Sequence, residues 1–75
     1  MKHEFEQEYK QIGLKIAYYR KLQGYTQESL AEKLGVATSY IGQIETPRMY
    51  KPISLTTLLR IAQALNIPAY KFLDF

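Results

Sequence analysis

Apolar side chains recur at helical spacing along the first part of the chain. Steps of four, three, four and three residues separate Phe5, Tyr9, Ile12, Ile16 and Tyr19. This spacing places the side chains on one face of a helix. The pattern therefore predicts helix 1 from about Glu4 to Leu22, and Gly24 is expected to end it. Gly13 lies in the middle of this helix and weakens it by about 1 kcal/mol relative to alanine.

Two short helices are predicted next, and a short turn that contains glycine separates them. Thr26 offers a hydroxyl cap to helix 2, which Gly35 is expected to end. Helix 3 runs from about Thr38 to Glu45, and Pro47 stops it because the residue before a proline avoids the helical conformation. The small core that would hold both helices consists of Leu30, Leu34, Val36, Ile41 and Ile44, and the small Ala31 lets helix 3 cross close to helix 2. Two helices joined in this way have the geometry of a helix-turn-helix.

The last part of the chain predicts two more helices. Ser54 caps helix 4 and Asn66 is expected to stop it, whereas Pro68 suits the first turn of a short helix 5. The positions predicted to be buried here are Leu55, Leu58, Ile61, Ala62, Leu65, Phe72 and Leu73. Because no strand pattern competes, the predicted fold class is all-α, a compact domain of five short helices.

Composition narrows the possible function classes. The 75 residues form one domain, and they include no cysteine and one histidine, His3, which is expected to be inert. Disulfides and cysteine-based metal sites are excluded, and a single histidine cannot build a metal site. No nucleophile with a neighbouring base and no phosphate-binding loop can be assembled. We therefore expect no enzymatic activity, no metal or cofactor and, without a separate sensor domain, no small-molecule effector site.

Charge is unevenly distributed along the chain. Residues 1–9 carry one lysine and three glutamates, a net charge of −2, and are predicted to form an acidic helical extension. The remaining residues carry nine basic and four acidic side chains, a net charge of +5. A basic body suits a polyanionic partner such as nucleic acid. Because no signal peptide and no apolar run of transmembrane length is present, a cytoplasmic protein without a membrane partner is expected.

A set of residues in a fixed order resembles a known family. The set comprises Ile12-Gly13, Arg20, Gly24, Thr26-Gln27, Leu30-Ala31, Gly35-Val36, Ser39-Tyr40-Ile41, Ile44-Glu45, Pro52, Leu58, Ile61-Ala62 and Leu65. From about Ile12 to Leu73 the chain resembles the Cro/repressor-type (XRE-like, lambda-repressor-like) helix-turn-helix DNA-binding family. The resemblance implies a five-helix fold and a sequence-specific transcriptional regulator, more often a repressor, that inserts helix 3 into the major groove of double-stranded DNA.

The outward positions of helix 3 carry hydroxyls, an amide and an aromatic ring, and no carboxylate. Glutamine can bond adenine through two hydrogen bonds, and serine or threonine can bond several base edges. The resemblance places base contacts at Thr38, Ser39 and Gln43, and DNA backbone contacts at Gln27, Thr46, Arg48 and Lys51. Two positions stay open: Tyr40 suits either a backbone contact or the edge of the core, and Gly42 either permits close approach to DNA or has no role.

The resemblance also assigns a structural role to Arg20 and Glu45, which are expected to form an ion pair that orients helix 3. The sequence departs from the family pattern at two positions near this helix. Pro47 replaces a glycine, and Ala37 replaces the hydroxyl that usually caps helix 3. The resemblance therefore does not specify the path of the loop from Thr46 to Lys51.

A domain of this size covers about one half-site, so a homodimer on a palindromic operator is expected. The last nine residues contain three aromatic side chains. Two of them, Tyr70 and Phe75, are candidate dimer contacts, and ordinary partial exposure is the alternative. A different function also remains open for the whole domain, namely an antitoxin-like or regulatory module that uses the same fold to bind a protein partner.

Overall fold

Four α-helices and one 3-10 turn build the domain. The computed structural model describes residues 4–75, so Lys2, His3 and the first part of the predicted acidic extension lie outside the described residues. The elements are α1 (Glu6–Leu22), α2 (Gln27–Leu34), α3 (Thr38–Glu45), α4 (Leu55–Leu65) and the 3-10 turn (Ala69–Phe72). Residues 4–75 contain no β-strand, which confirms the predicted all-α class. No helix in this part of the chain is both long enough and apolar enough to span a bilayer.

α1 begins two residues later than the apolar pattern predicts. Phe5 precedes it in a left-handed conformation, with φ of 60°, and its side chain is exposed instead of joining the core. Two glutamates lie in the first turn, where negative charge stabilises the positive end of the helix dipole. At the other end Gly24 adopts φ of 83°, and the Tyr25 N–H donates to the Arg20 carbonyl at 2.9 Å. A left-handed glycine therefore closes α1, as predicted.

α2 and α3 form the helix-turn-helix with the predicted boundaries. Thr26 Oγ1 accepts a hydrogen bond from the Ser29 N–H at 2.9 Å, and Ser29 Oγ accepts one from the Thr26 N–H at 2.9 Å. This reciprocal cap satisfies two N–H groups at the start of α2. Gly35 ends α2 with φ of 73°, a conformation that disfavours a side chain. α3 begins after Ala37, which forms no side-chain cap.

The predicted fifth helix is wrong, because the chain forms a 3-10 turn there. Ser54 caps α4 by accepting a main-chain N–H from its first turn at 3.1 Å, and Asn66 ends α4 with φ of 57°, both as predicted. After Pro68 only the four residues of the turn are helical, and the Lys71 N–H donates to the Pro68 carbonyl at 3.1 Å. So short a segment cannot build a ladder of α-helical bonds and takes the tighter 3-10 geometry.

One hydrophobic core lies between the helices. Its buried apolar side chains are Ile12, Ile16, Leu30, Ala31, Leu34, Ile41, Ile44, Ile53, Leu58, Ile61, Ala62, Leu65 and Phe72. The Phe72 ring packs edge-on against Tyr19, with ring centres 5.3 Å apart, and so joins the 3-10 turn to α1. Two predicted core positions are wrong, since Leu55 and Leu73 are exposed and border an open groove beside Phe5. Both lie at the end of an element, where the core no longer extends beneath the side chain.

Two long polar side chains tie α4 to its neighbours. Arg60 Nη2 donates to the Leu34 carbonyl in the last turn of α2 at 2.5 Å. Gln23 Nε2, just after α1, donates to the Leu65 carbonyl in the last turn of α4 at 2.8 Å. The last turn of a helix leaves its carbonyls without partners inside the helix. Each bond therefore satisfies an acceptor and connects two elements at once.

Gly13 lies where α1 and α3 come closest. A β-carbon at this position would overlap the main-chain carbonyl oxygen of Ile44 and would lie 3.1 Å from its carbonyl carbon. Only glycine therefore allows the two helix backbones to touch. The contact offsets the roughly 1 kcal/mol that a glycine costs inside a helix. Sequence alone shows only that cost, because the packing role depends on where α3 lies.

We predict that Gly13→Ala destabilises the domain although alanine is the better helix former. Relieving the overlap requires α3 to shift, which should lower the free energy of unfolding by about 2 kcal/mol and Tm by about 10 °C. Gly42→Ala is the matched control, since a β-carbon there meets only Gln27 Oε1 at 3.6 Å. It should leave stability unchanged or raise it by up to about 1 kcal/mol. Urea and thermal unfolding would test both, and equal stability of the two variants would contradict the close contact.

Candidate nucleic-acid interface

α3 buries one face and exposes the other. Its buried residues are Ile41, Ile44 and Glu45. Thr38 and Ser39 are exposed in the first turn, and Gln43 is half-buried one turn further along. Ser39 and Gln43 are four residues apart and so lie on the same side of the helix. The three side chains predicted to contact bases therefore share the solvent-facing side of α3.

A buried ion pair joins the end of α3 to α1. Arg20 Nε donates to Glu45 Oε2 at 2.7 Å, and Arg20 Nη2 donates to Glu45 Oε1 at 3.0 Å. Each of the two residues is only 7% exposed. Arg20 Nη1 also donates to the Tyr25 carbonyl at 2.8 Å, in the turn between α1 and α2. Two parallel bonds restrict both distance and angle, so the pair orients α3 more tightly than a point charge would.

Gln27 links the start of α2 to the same carboxylate. Its Nε2 donates to Glu45 Oε1 at 3.0 Å, and the side chain is half-buried. Gly42 of α3 lies beside the Gln27 amide, and a β-carbon added to Gly42 would lie 3.6 Å from Gln27 Oε1. A residue predicted to contact the DNA backbone thus has a structural partner within the domain. The Gln27 amide keeps a second N–H that is not used in this bond. A phosphate would accept from this N–H and from the main-chain N–H groups in the first turn of α2.

The loop after α3 turns back alongside that helix. Thr46 is half-buried, and its Oγ1 accepts the Arg48 N–H at 3.4 Å. Lys51 Nζ lies 5.8 Å from the centre of the Tyr40 ring, within the range of a cation–π contact. Tyr40 is half-buried and packs against the core. Its ring therefore lies at the core edge and also holds Lys51 beside α3.

Tyr50 anchors the same loop near the N-terminal end of α1. Its ring packs edge-on against Tyr9, with ring centres 6.0 Å apart, and its hydroxyl donates to the Glu4 carbonyl at 3.5 Å. The exposed Arg48 and Lys51 are held on either side of this anchor. Sequence reasoning missed Tyr50, because a tyrosine in a loop gives no sign of the ring it will pack against.

A groove beside the start of α2 adds a basic residue that the sequence did not single out. The groove has a volume of about 740 Å³ and is lined by Arg20, Lys21, Gly24, Tyr25, Thr26, Gln27, Glu28 and Thr38. Lys21 is exposed in the last turn of α1. It shares the groove with Gln27 and Thr38, so its charge lies on the side of the predicted base-contacting residues. The three belong to different helices, and only the packing of those helices brings them together.

The two predicted dimer contacts lie apart from this surface and in different surroundings. Tyr70 is exposed in the 3-10 turn, and Phe75 is exposed after it. Phe75 borders a groove of about 310 Å³ together with Phe5, Leu55 and Leu73. Tyr70 does not line this groove. The structure therefore associates Phe75, and not Tyr70, with a continuous apolar surface.

Comparison with known proteins gives a consistent result over most of the chain. Residues 16–72 match a family model described as helix-turn-helix. The HTH-type transcriptional regulator SinR of Bacillus subtilis is 40% identical over 63 residues, which cover 84% of this chain and 56% of SinR. The chain thus spans about half the length of its SinR relatives.

Solved structures resemble the fold closely. The restriction-modification controller protein C.AhdI from Aeromonas hydrophila has a TM-score of 0.82 at 28% identity, covering 93% of this chain and 99% of that one. SinR, described as the master regulator for biofilm formation, in complex with DNA has a TM-score of 0.74 at 40% identity, covering 84% and 98%. SinR in complex with SinI also has a TM-score of 0.74, at 38% identity, covering 84% and 60%.

We predict that substitutions of Arg20 and Glu45 have strongly coupled effects on the free energy of unfolding. Arg20→Met leaves the Glu45 carboxylate buried without its main partner and should cost about 3–5 kcal/mol. The double variant Arg20→Met/Glu45→Met leaves no buried charge. It should therefore lose less unfolding free energy than Arg20→Met and Glu45→Met lose together. Lys10→Met is the control, since it breaks the less buried Lys10–Glu6 pair at 2.9 Å, and should cost less than about 1 kcal/mol. Urea unfolding of the four variants would refute the coupling if the effects of the two single changes simply added.

Proposed function

The chain belongs to the helix-turn-helix family whose model matches residues 16–72, and from this we propose that it is a sequence-specific DNA-binding transcriptional regulator of the repressor type. The match confirms the resemblance to the Cro/repressor-type family. One observation carries the proposal: the side of α3 away from the core carries the exposed Thr38 and Ser39 and the half-buried Gln43, while a buried ion pair holds the other side of the helix. Similarity to SinR in complex with DNA supports the same role.

In this proposal the outward side of α3 enters the major groove. That groove is about 12 Å wide and admits a single helix. Thr38 and Ser39 bring hydroxyls that can donate or accept, and Gln43 brings an amide that can bond adenine through its oxygen and its nitrogen. The Arg20–Glu45 pair stays buried behind α3 and contributes by keeping its angle constant.

The DNA backbone would be held on both sides of α3. The residues we propose for these contacts are Gln27, Tyr40, Thr46, Arg48 and Lys51, together with Lys21 from the groove beside α2. Arg48, Lys51 and Lys21 are exposed cations. They neutralise phosphates and release counterions, so they contribute affinity without sequence preference. Thr46 and Tyr40 also position the loop, since Thr46 accepts the Arg48 N–H and the Tyr40 ring lies beside Lys51.

We also propose that two copies bind a palindromic operator as a homodimer. A single helix-turn-helix reads one half-site, and a second copy about one helical turn away doubles the contacts. Phe75 supports this, because it joins Phe5, Leu55 and Leu73 in one exposed apolar surface, and such surfaces are typical of protein contacts. Tyr70 stays a separate candidate on the neighbouring turn.

A second candidate function is the binding of a regulatory protein partner, which the structure of SinR in complex with SinI favours. The two functions are separable, because a module that binds only protein would show no sequence preference for DNA. We propose DNA binding as the primary function, since the polar outward side of α3 suits base edges. The family is one of transcription regulators, so we propose no enzymatic activity, and we place the protein in the cytoplasm with its DNA.

We predict that Gln43→Ala lowers affinity for the preferred site by about 1–3 kcal/mol and relaxes specificity at one position of each half-site. Gln63→Ala, an exposed glutamine of α4, is the control and should bind as the parent chain does. Selection from random DNA with the parent chain, Gln43→Ala and Gln63→Ala measures the sequence preference of each. The selected sites should be palindromic, with half-sites about one helical turn apart. An unchanged preference in Gln43→Ala would remove that residue from the readout, and sites without symmetry would exclude the dimer.

We predict that Lys51→Ala weakens binding to every DNA sequence by a similar factor. Loss of one phosphate contact should reduce the slope of log affinity against log salt by about 1. Lys71→Ala, an exposed lysine of the 3-10 turn, is the control and should leave the slope unchanged. Fluorescence anisotropy at several salt concentrations gives both slopes. A loss confined to the preferred site would instead assign Lys51 to base recognition.

A further inference from the structure

α1 carries a second apolar row on the side that faces away from the core. Leu14, Tyr18 and Leu22 follow one another at intervals of four residues, so they form a continuous row along the helix. Their exposed fractions are 49%, 59% and 60%. The outer face of a surface helix normally carries charged or polar residues. This outer ridge, as we name the row Leu14–Tyr18–Leu22, is therefore not explained by the fold.

The outer ridge points away from α3. Gly13 marks the side of α1 that touches α3. Each residue turns the helix by about 100°, so Tyr18 lies about 140° around the helix from Gly13. The ridge borders a shallow groove of about 520 Å³, which Ala17 also lines. A partner on this ridge would leave the outward side of α3 accessible.

Positive charge flanks the outer ridge on both sides. Lys21 lies about 60° to one side of Tyr18 around the helix, and Lys15 lies about 60° to the other. Lys21 also lines the shallow groove. From residue 9 to residue 27 the sequence contains no aspartate and no glutamate. The ridge is thus an apolar strip between two cations, in a stretch of chain without acids of its own.

We propose that the outer ridge docks an amphipathic helix of a partner protein whose apolar anchors are flanked by aspartate or glutamate. Anchors spaced three or four residues apart pack along such a ridge, and acids beside Lys15 and Lys21 supply the complementary charge. A second copy of this chain is disfavoured, because two ridges laid together would bring the lysines of both copies against each other. The site lies on a different face from α3, and its apolar row is separate from the groove beside α2; only Lys21, at the edge of both, is shared with the surface proposed for DNA.

A designed peptide pair tests the proposal on the full chain. The acidic peptide is a helix of about five turns, about 18 residues, with leucines at helical spacing and glutamates beside them. The basic peptide has lysine in place of each glutamate. In NMR titrations the acidic peptide should shift the amide signals of residues 14–22, and the basic peptide should bind about tenfold more weakly. Equal binding of the two peptides, or shifts confined to other helices, would overturn the proposal.

Surface variants provide the controls. Leu14→Gln/Leu22→Gln should weaken the acidic peptide about tenfold and leave both Tm and DNA affinity unchanged. Leu59→Gln is the matched control, because Leu59 of α4 is also 49% exposed, and it should bind the peptide as the parent chain does. Lys15→Glu should weaken the acidic peptide and strengthen the basic one. An equal loss in Leu59→Gln would show nonspecific hydrophobic binding and refute the site.

Two further measurements decide between occupants. A dimer in sedimentation velocity that disappears in Leu14→Gln/Leu22→Gln and persists in Leu59→Gln would assign the ridge to self-association and overturn the proposal. Binding to vesicles of phosphatidylserine and phosphatidylcholine that is lost in the same double variant would assign it to a membrane surface instead. Neither effect is expected. The peptide, sedimentation and vesicle measurements are made without DNA, so they stand or fall separately from the proposed DNA binding.

Discussion

The guanidinium of Arg20 and the carboxylate of Glu45 meet inside the domain, where three helices converge. Removing two such charges from water costs several kcal/mol per ion, and only close, well-directed bonds offset that cost. The fork at 2.7 and 3.0 Å supplies them, and the Tyr25 carbonyl and the Gln27 amide take up further bonding capacity. No buried side-chain nitrogen or oxygen within residues 4–75 lacks a hydrogen-bond partner. The network therefore sets the position of α3 relative to α1 and α2.

Steric contact acts on the same interface as this charge pair. Gly13 and Arg20 are seven residues apart, about two turns along α1, and so lie on nearly the same side of it. Gly13 lets the backbone of α3 approach at Ile44, and Arg20 binds the next residue, Glu45. Distance and angle are thus set by two different interactions at adjacent points. A helix held from behind in this way can keep its other side open to a ligand.

Local chemistry explains which expectations were confirmed and which were wrong. The caps at Thr26 and Ser54 and the left-handed Gly35 depend on neighbours within a few residues, and each marks a helix end as predicted. The fifth helix was wrong because four residues after Pro68 favour a 3-10 turn. Leu55 and Leu73 were wrong as core positions, because periodicity indicates a face but not where the core ends.

By itself the sequence determined the all-α class, the bounds of α2 and α3, and the outward position of Thr38, Ser39 and Gln43. Those features follow from helical period and capping, which act over one or two turns of chain. Only the tertiary structure decided the packing role of Gly13, the bond from Gln27 to Glu45 and the anchoring of the loop after α3 by Tyr50. It also placed Lys21 beside Thr38 and left the outer ridge exposed. These contacts join residues distant in sequence, so they depend on how whole helices pack against one another.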